Sequence, residues 1–256
     1  MKRFARLFAE LDGTTRTNAK VAAMEAYFST ADPADAAWAV HFLSGNRPKR
    51  LIPVRRLAGW AMQAADVPEW LFEECYHAVG DLAETIALLL PVPAGRSDHP
   101  LHRWVEERLL PLAGEDEETQ RAVVLDAWST LGDTERFVWN KLITGSFRVG
   151  VSQKLVVRAL ARIGEVDEPT VAHRLMGSWE PSPRSFPETL PPIVYRSEDI
   201  VRKVYGGGQI QFMGRHVTVG KALLGQRIAL RPTPEDGCYD VVFCNQITRT
   251  INLRAI

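Results

Sequence analysis

After Pro181 the sequence reads SPRSFPETLPPIVY, and its four prolines bar a helix there, because each lacks a backbone donor and has a fixed φ. The hydrophobic rhythm differs on either side of this barrier. From Lys2 to about Trp179 apolar residues recur every three or four positions, with breaks at Gly, Pro, Asp or Ser. Beyond it, DIVRKVYGGGQIQFMGRHVTVG alternates apolar with polar, and RIALRP, YDVVFC and TRTINL follow as short strand-like runs. The pattern therefore predicts an all-α N-terminal domain over residues 1–180, a Pro-rich linker over 181–195 and a small all-β, barrel-like domain over 196–256.

About nine or ten helices are expected. Segments with helical spacing run from Asn18 to Ser29, Pro33 to Leu43, Pro53 to Ala65, Leu101 to Leu110, Glu117 to Leu131, Thr134 to Ile143, Ser152 to Ile163 and Glu168 to Met176. Leu71, Cys75, Val79, Leu82, Ile86 and Leu89 form one apolar stripe, expected to bury a helix face. In the β region, Gly206 to Gly208 and Met213-Gly214 can supply the positive φ of hairpin turns.

Composition narrows the class. With 46% hydrophobic and 24% charged residues the chain is ordinary globular material, and no apolar run approaches the roughly 18 residues of a membrane span. The N-terminus MKRFARLFAELDG has charges where a signal peptide needs an apolar segment, so a cytoplasmic location is expected. Three cysteines, Cys75, Cys238 and Cys244, do not make a four-ligand zinc site and read as reduced, buried thiols. Lys+Arg and Asp+Glu balance at 31 each. Locally they do not: from Ser182 onward there are ten basic against six acidic residues, leaving 21 against 25 before it.

The segment with most chemical content is WNKLITGSFRVGVSQKLVVRALA, Trp139 to Ala161. One helix ends in Thr144-Gly145, the basic loop Ser146-Phe147-Arg148 follows, and Gly150-Val151-Ser152 opens the next helix with Ser152 at the N-cap. Amides at that helix start, with Arg148, Lys141 and Lys154 near them, suit a phosphate oxygen. A tight corner with solvated charges explains the same residues. Two further basic clusters are GNRPKR, Gly45 to Arg50, followed by Arg55 and Arg56, and TTRTNAK, where Thr17 or Asn18 caps a helix flanked by Arg16 and Lys20. Each reads equally as solvated surface.

Together these segments resemble the N-terminal DNA-binding domain of ATP-dependent DNA ligases, a family of DNA repair, recombination and replication, and in particular its bacterial branch. The likeness spans about residues 1 to 180 and rests on TTRTNAKVAAMEAYF, AAWAVHFLSGNRPKR, EECYHAVGDLAETIALLL and RFVWNKLITGSFRVGVSQKLVVRALA followed by AHRLMGSWEP. It implies an all-helical domain that encircles nicked duplex from the minor-groove side and touches the backbone through loops and helix N-termini. By the same resemblance Thr144, Gly145, Arg148, Gly150, Ser152 and Lys154 are the phosphate contacts, with Arg47, Lys49 and Arg50 as a second set.

Such ligases form a lysine-AMP intermediate on a K-x-D-G lysine, using ATP and Mg. None of the seven lysines here stands in that motif; Glu10-Leu11-Asp12-Gly13 has a carboxylate where the amine belongs, and Glu235-Asp236-Gly237 likewise lacks the lysine. No catalytic residue, no cofactor and no metal are therefore assigned to this chain. The expectation is sequence-independent binding of duplex or nicked DNA, unable to ligate alone. A catalytic ligase half acting in trans would restore the enzyme.

From Ser182 to Leu253 the sequence resembles the C-terminal β-domain of an integrase-type insertion-sequence transposase, through DIVRKV, the F-x-G-R turn, VGKALLGQ and YDVVFC. The three catalytic carboxylates of such transposases belong to an upstream core that this likeness does not include. The resemblance implies a small barrel aiding DNA or protein contacts, with Arg202, Lys203, Arg215 and Lys221 as its basic candidates. A mobile element inserted into a ligase gene would produce such a junction, as a working partner or as a nonfunctional remnant. His99-x-x-His102 lacks an evident third metal ligand, and the seven tryptophans read as core packing.

Overall fold

A computed structural model describes residues 1–46, 48–175, 180–182, 186, 195–243 and 246–254, without the side chains of Ala222 and Gln246. Contacts divide the chain into two compact units, one of Met1–Glu165 with Trp179–Glu188, the other of Val166–Ser178 with Thr189–Ile256. The proposed linker over 181–195 lies largely outside the described residues.

The first unit is helical: α1 Lys2–Asp12, α2 Thr17–Phe28, α3 Pro33–Leu43, α4 Val54–Ala65, α5 Glu69–Val79, α6 Leu82–Leu89, α7 Leu101–Arg103, α8 Glu117–Thr130, α9 Asp133–Ile143 and α10 Gln153–Ile163. An eleventh helix, α11 Glu168–Arg174, belongs to the second unit. Aspartates start several of these helices. Asp32, Asp81 and Asp116 accept the amides of Ala34, Glu84 and Thr119 at 2.9, 3.1 and 2.9 Å, satisfying donors that a helix start leaves without partners.

Two expectations change here. The stripe from Leu71 to Leu89 is not one helix: Gly80, at φ 77°, ends α5 and Asp81 caps α6, so only Ile86 of the stripe is fully buried. Leu71, Cys75 and Val79 stay half-exposed. Among the tryptophans, Trp38, Trp60, Trp104, Trp128 and Trp139 are core, but Trp70 is 65% exposed, and Trp179 lies outside the described residues.

Helix α9 runs through the middle, packed by α1 and α6. Its position buries polar groups along with Val138, Trp139, Leu142 and Ile143, and each needs a partner inside. Asn140 receives the Trp128 indole N–H at 2.9 Å and Arg136 donates to the Pro91 carbonyl at 2.8 Å.

The second unit contains β1 Ile200–Lys203, β2 Gln209–Phe212, β3 Arg215–Thr218, β4 Arg227–Pro232, β5 Cys238–Phe243 and β6 Gln246–Asn252. They form an antiparallel sheet in the order β1-β4-β5-β6 and a separate β2-β3 hairpin. Met213 and Gly214, at φ 47° and 75°, make the two-residue hairpin turn. Ile210, Phe212 and Val217 of the hairpin share one core with Ile228, Leu230, Val241 and Ile251 of the sheet. Gly208 sits where a Cβ would come within 2.4 Å of the Gly220-Lys221 peptide, at φ 77°, so no side chain fits. Cys75 and Cys238 are free thiols, burial raising the pKa of the second, while Cys244 lies outside the described residues.

Candidate nucleic-acid interface

Between α9 and α10 the chain alternates in and out. Phe147 and Val149 are buried; Ser146, Arg148 and Gly150 face solvent. The Phe147 ring stacks on Phe4 with centroids 5.8 Å apart and planes at 13°, and touches Phe8 and Phe42 at 5.1 and 5.8 Å. This aromatic anchor holds the polar residues of the loop at the surface.

Two distant segments close onto the same loop. Gly145, at φ 66°, lies against residues 48–50: a Cβ there would meet the Pro48 carbonyl oxygen at 3.1 Å and the Arg50 amide at 3.4 Å. Next to it the Leu51 amide donates to the Ile143 carbonyl at 3.0 Å. From the other side, the buried Lys20 ammonium donates to the carbonyls of Val149 and Gly150 at 2.9 and 3.0 Å.

Those bonds also orient two helices. Lys20, near the start of α2, meets the residues just before α10, while Arg162, near the end of α10, pairs at 3.0 Å with Glu25 toward the end of α2. The helices therefore run parallel and present their N-termini, the positive ends of their dipoles, side by side. Neither is closed by a side chain: Arg16 and Ser152 occupy the N-cap positions without a cap bond. Thr17 and Asn18, the two alternatives expected for the cap, are instead the first two helical residues.

The backbone N–H groups from Phe147 through Lys154 find no acceptor among the described residues. Beside them stand Arg16, Lys49, Arg50, Arg148 and Lys154, exposed and without a carboxylate partner among the described residues. Elsewhere in this unit arginines are commonly paired, as in Arg6–Glu10, Arg56–Glu117, Arg103–Glu107, Arg108–Asp126 and Arg162–Glu25. His41, packed edge-on against Trp38 and Phe42, is pushed below the ordinary imidazole value by burial, so it is neutral at pH 7. The surface thus joins donors and cations that have no acceptor of their own among the described residues, a combination suited to anionic oxygens.

The structure brings Gly145, Arg148, Gly150, Ser152 and Lys154 together with Lys49 and Arg50. Thr144 is occupied locally, its hydroxyl bonded to the Asn140 carbonyl at 2.8 Å and to Ser146 at 2.6 Å. Lys141 is corrected as an anion contact: it is only 9% exposed, pairs with Asp81 and lies 5.1 Å from the Phe137 ring centroid. Arg47 lies outside the described residues. Sequence reasoning left Lys20 as a flanking charge; its internal role spans 129 residues, a separation that no local pattern reveals.

In the second unit Arg202 and Arg215 bond main-chain carbonyls, of Val201 and Leu253, both at 2.9 Å, whereas Lys203 and Lys221 are exposed. His102 is bonded to Asp35 at 2.7 Å, and the His99 carbonyl accepts the Met1 ammonium at the same distance. Among the described residues no three His, Cys, Asp or Glu side chains converge on one point, and no helix is long and apolar enough to cross a membrane.

Against known families, residues 1–161 match the model for the DNA ligase N terminus. The chain belongs to that family. Residues 199–255 match a second model, the C-terminal domain of IS481 family transposases. Both matches fall on the segments where the sequence itself shows those likenesses, one helical and one stranded.

Proposed function

We propose that this chain binds duplex DNA by its sugar-phosphate backbone, without reading base sequence, through the surface built from residues 144–154, Lys49, Arg50 and Arg16. One observation carries the reading: among the described residues, the consecutive amides from Phe147 to Lys154 lack acceptors and the cations flanking them lack carboxylates. Main-chain N–H groups and phosphate-directed cations position a protein on a duplex but carry no base information, which supports sequence independence. Membership of the ligase N-terminal family supports DNA as the partner.

No lysine among these 256 residues stands in K-x-D-G, so binding needs neither ATP nor magnesium and leaves no adenylate on the protein. A ligase activity would require a catalytic half from outside these 256 residues, for instance one supplied in trans.

The test is a salt titration of duplex affinity, intact and nicked, for the parent chain and for Arg148→Ala with Lys154→Ala. Each phosphate that is no longer neutralised should lower the slope of log K against log salt by about 0.9, so a reduction of about two is expected. An unchanged slope and affinity would reject this surface. Incubation with labelled ATP and magnesium should leave the protein unlabelled, and a covalent adenylate would reject the non-catalytic reading.

A further inference from the structure

We infer that Lys20 is the positioning residue of this anion cradle, a role that rests on the DNA-binding reading above. The residue is 6% exposed, and its ammonium faces no carboxylate among the described residues and spends two of its donors on the carbonyls of Val149 and Gly150. A trans peptide points its C=O and the following N–H in opposite directions. Drawing the carbonyls of Val149 and Gly150 inward to Lys20 therefore turns the amides of Gly150 and Val151 outward, to the mouth of α10. Both amides are among those without an acceptor among the described residues. The lysine thus aims donors it does not touch.

Two further facts fit this role. Gly150, at φ 60°, is the residue that leaves room: a Cβ there would stand 2.8 Å from Nζ. A buried ammonium held only by carbonyl oxygens also keeps most of its charge uncompensated, and that charge lies directly behind the outward amides. A phosphate oxygen seated on them neutralises a cation that folding has left unbalanced.

The test uses the full chain as parent, Lys20→Met, Gly150→Ala and the Arg148→Ala/Lys154→Ala pair. A short nicked duplex is titrated against each over a range of NaCl, with Gly150 and Val151 amide resonances followed in labelled protein. Lys20→Met should weaken binding about tenfold near 0.1 M salt and lower the slope by about one, the worth of one neutralised phosphate. Its amide response to DNA should vanish. Gly150→Ala keeps the charge but pushes the ammonium off its carbonyls, so affinity and amide response should fall with the slope kept; it carries the test if Lys20→Met does not fold. Parent-like affinity, slope and amide shifts in Lys20→Met, while the Arg148/Lys154 pair binds weakly, would overturn the role of Lys20 alone. Parent-like binding in all the variants would overturn the cradle itself.

Discussion

The two units use positive charge in opposite ways. The stranded unit carries the local surplus, yet much of it is taken up by acceptors of its own fold: Arg231 grips Asp199 with two bonds of 3.0 Å, Arg254 pairs with Asp236, and Arg215 and Arg249 donate to the carbonyls of Leu253 and Thr218. In the helical unit acids outnumber bases, but Arg16, Lys49, Arg50, Arg148 and Lys154 stand around one loop with no carboxylate partner among the described residues. Net charge is therefore a poor guide to a phosphate-binding face. What matters is whether each cation already has an acceptor in its own fold.

The most severe challenge to this division of roles lies at Gly208. Gly208→Ala must push a Cβ into the Gly220-Lys221 peptide, and should unfold the stranded unit, costing about 3 kcal/mol or more. Duplex binding should survive, because its donors lie in the helical unit. Loss of near-native strand signals together with retained affinity checks this; loss of both would assign the strands a share of the binding.

A smaller effect is expected at Arg231. Asp199 is fully buried at its side chain, and its bonds to Arg231 hold its carboxyl below the usual 3.8. Because the folded value lies below the unfolded one, the pair stabilises fully above about pH 4 and loses its contribution as pH falls through the lowered value. Thermal melts of the stranded unit at pH 6 and pH 3 should show this drop. Arg231→Met should lower the melting temperature at pH 6 by about 5 °C, by stranding a buried carboxylate, and flatten the acid dependence. A melt indifferent to the substitution would mean the pair is ornamental.

The smallest effect falls within the helical unit. Arg162 carries the same guanidinium group as Arg148 but is already bonded to Glu25. Arg162→Ala should change stability by less than about 1 kcal/mol and leave the salt slope of DNA binding where it was. A slope shift equal to that of a free cation would show that pairing does not decide availability.

Much of this was legible in the sequence, and the limits are instructive. Helix starts at aspartate or proline, the corner Thr144-Gly145, and the Met213-Gly214 turn are written locally, because a cap or a positive φ depends on a residue and its near neighbours. The break at Gly80 was hidden by an apolar spacing that continues across it. Burial of Lys141 was also hidden: a lysine beside Asn140 reads as solvated until α6 brings Asp81 against it. The candidate surface was legible as three unrelated basic clusters. Their convergence depends on the contact of Gly145 with residues 48–50 and on the reach of Lys20 to Val149, and such pairings are properties of the folded topology.

The seat of Gly145 against Pro48 and Arg50 has a mechanical consequence. Because the two loops meet through backbone, with no long side chain as an intermediary, they cannot slide apart without tearing the Leu51–Ile143 bond. The backbones that carry Lys49, Arg50 and Arg148 are thereby tied to one another. A shift of either loop would drag the other with it, so a substitution that loosens one seam would disturb the cations on both sides of it.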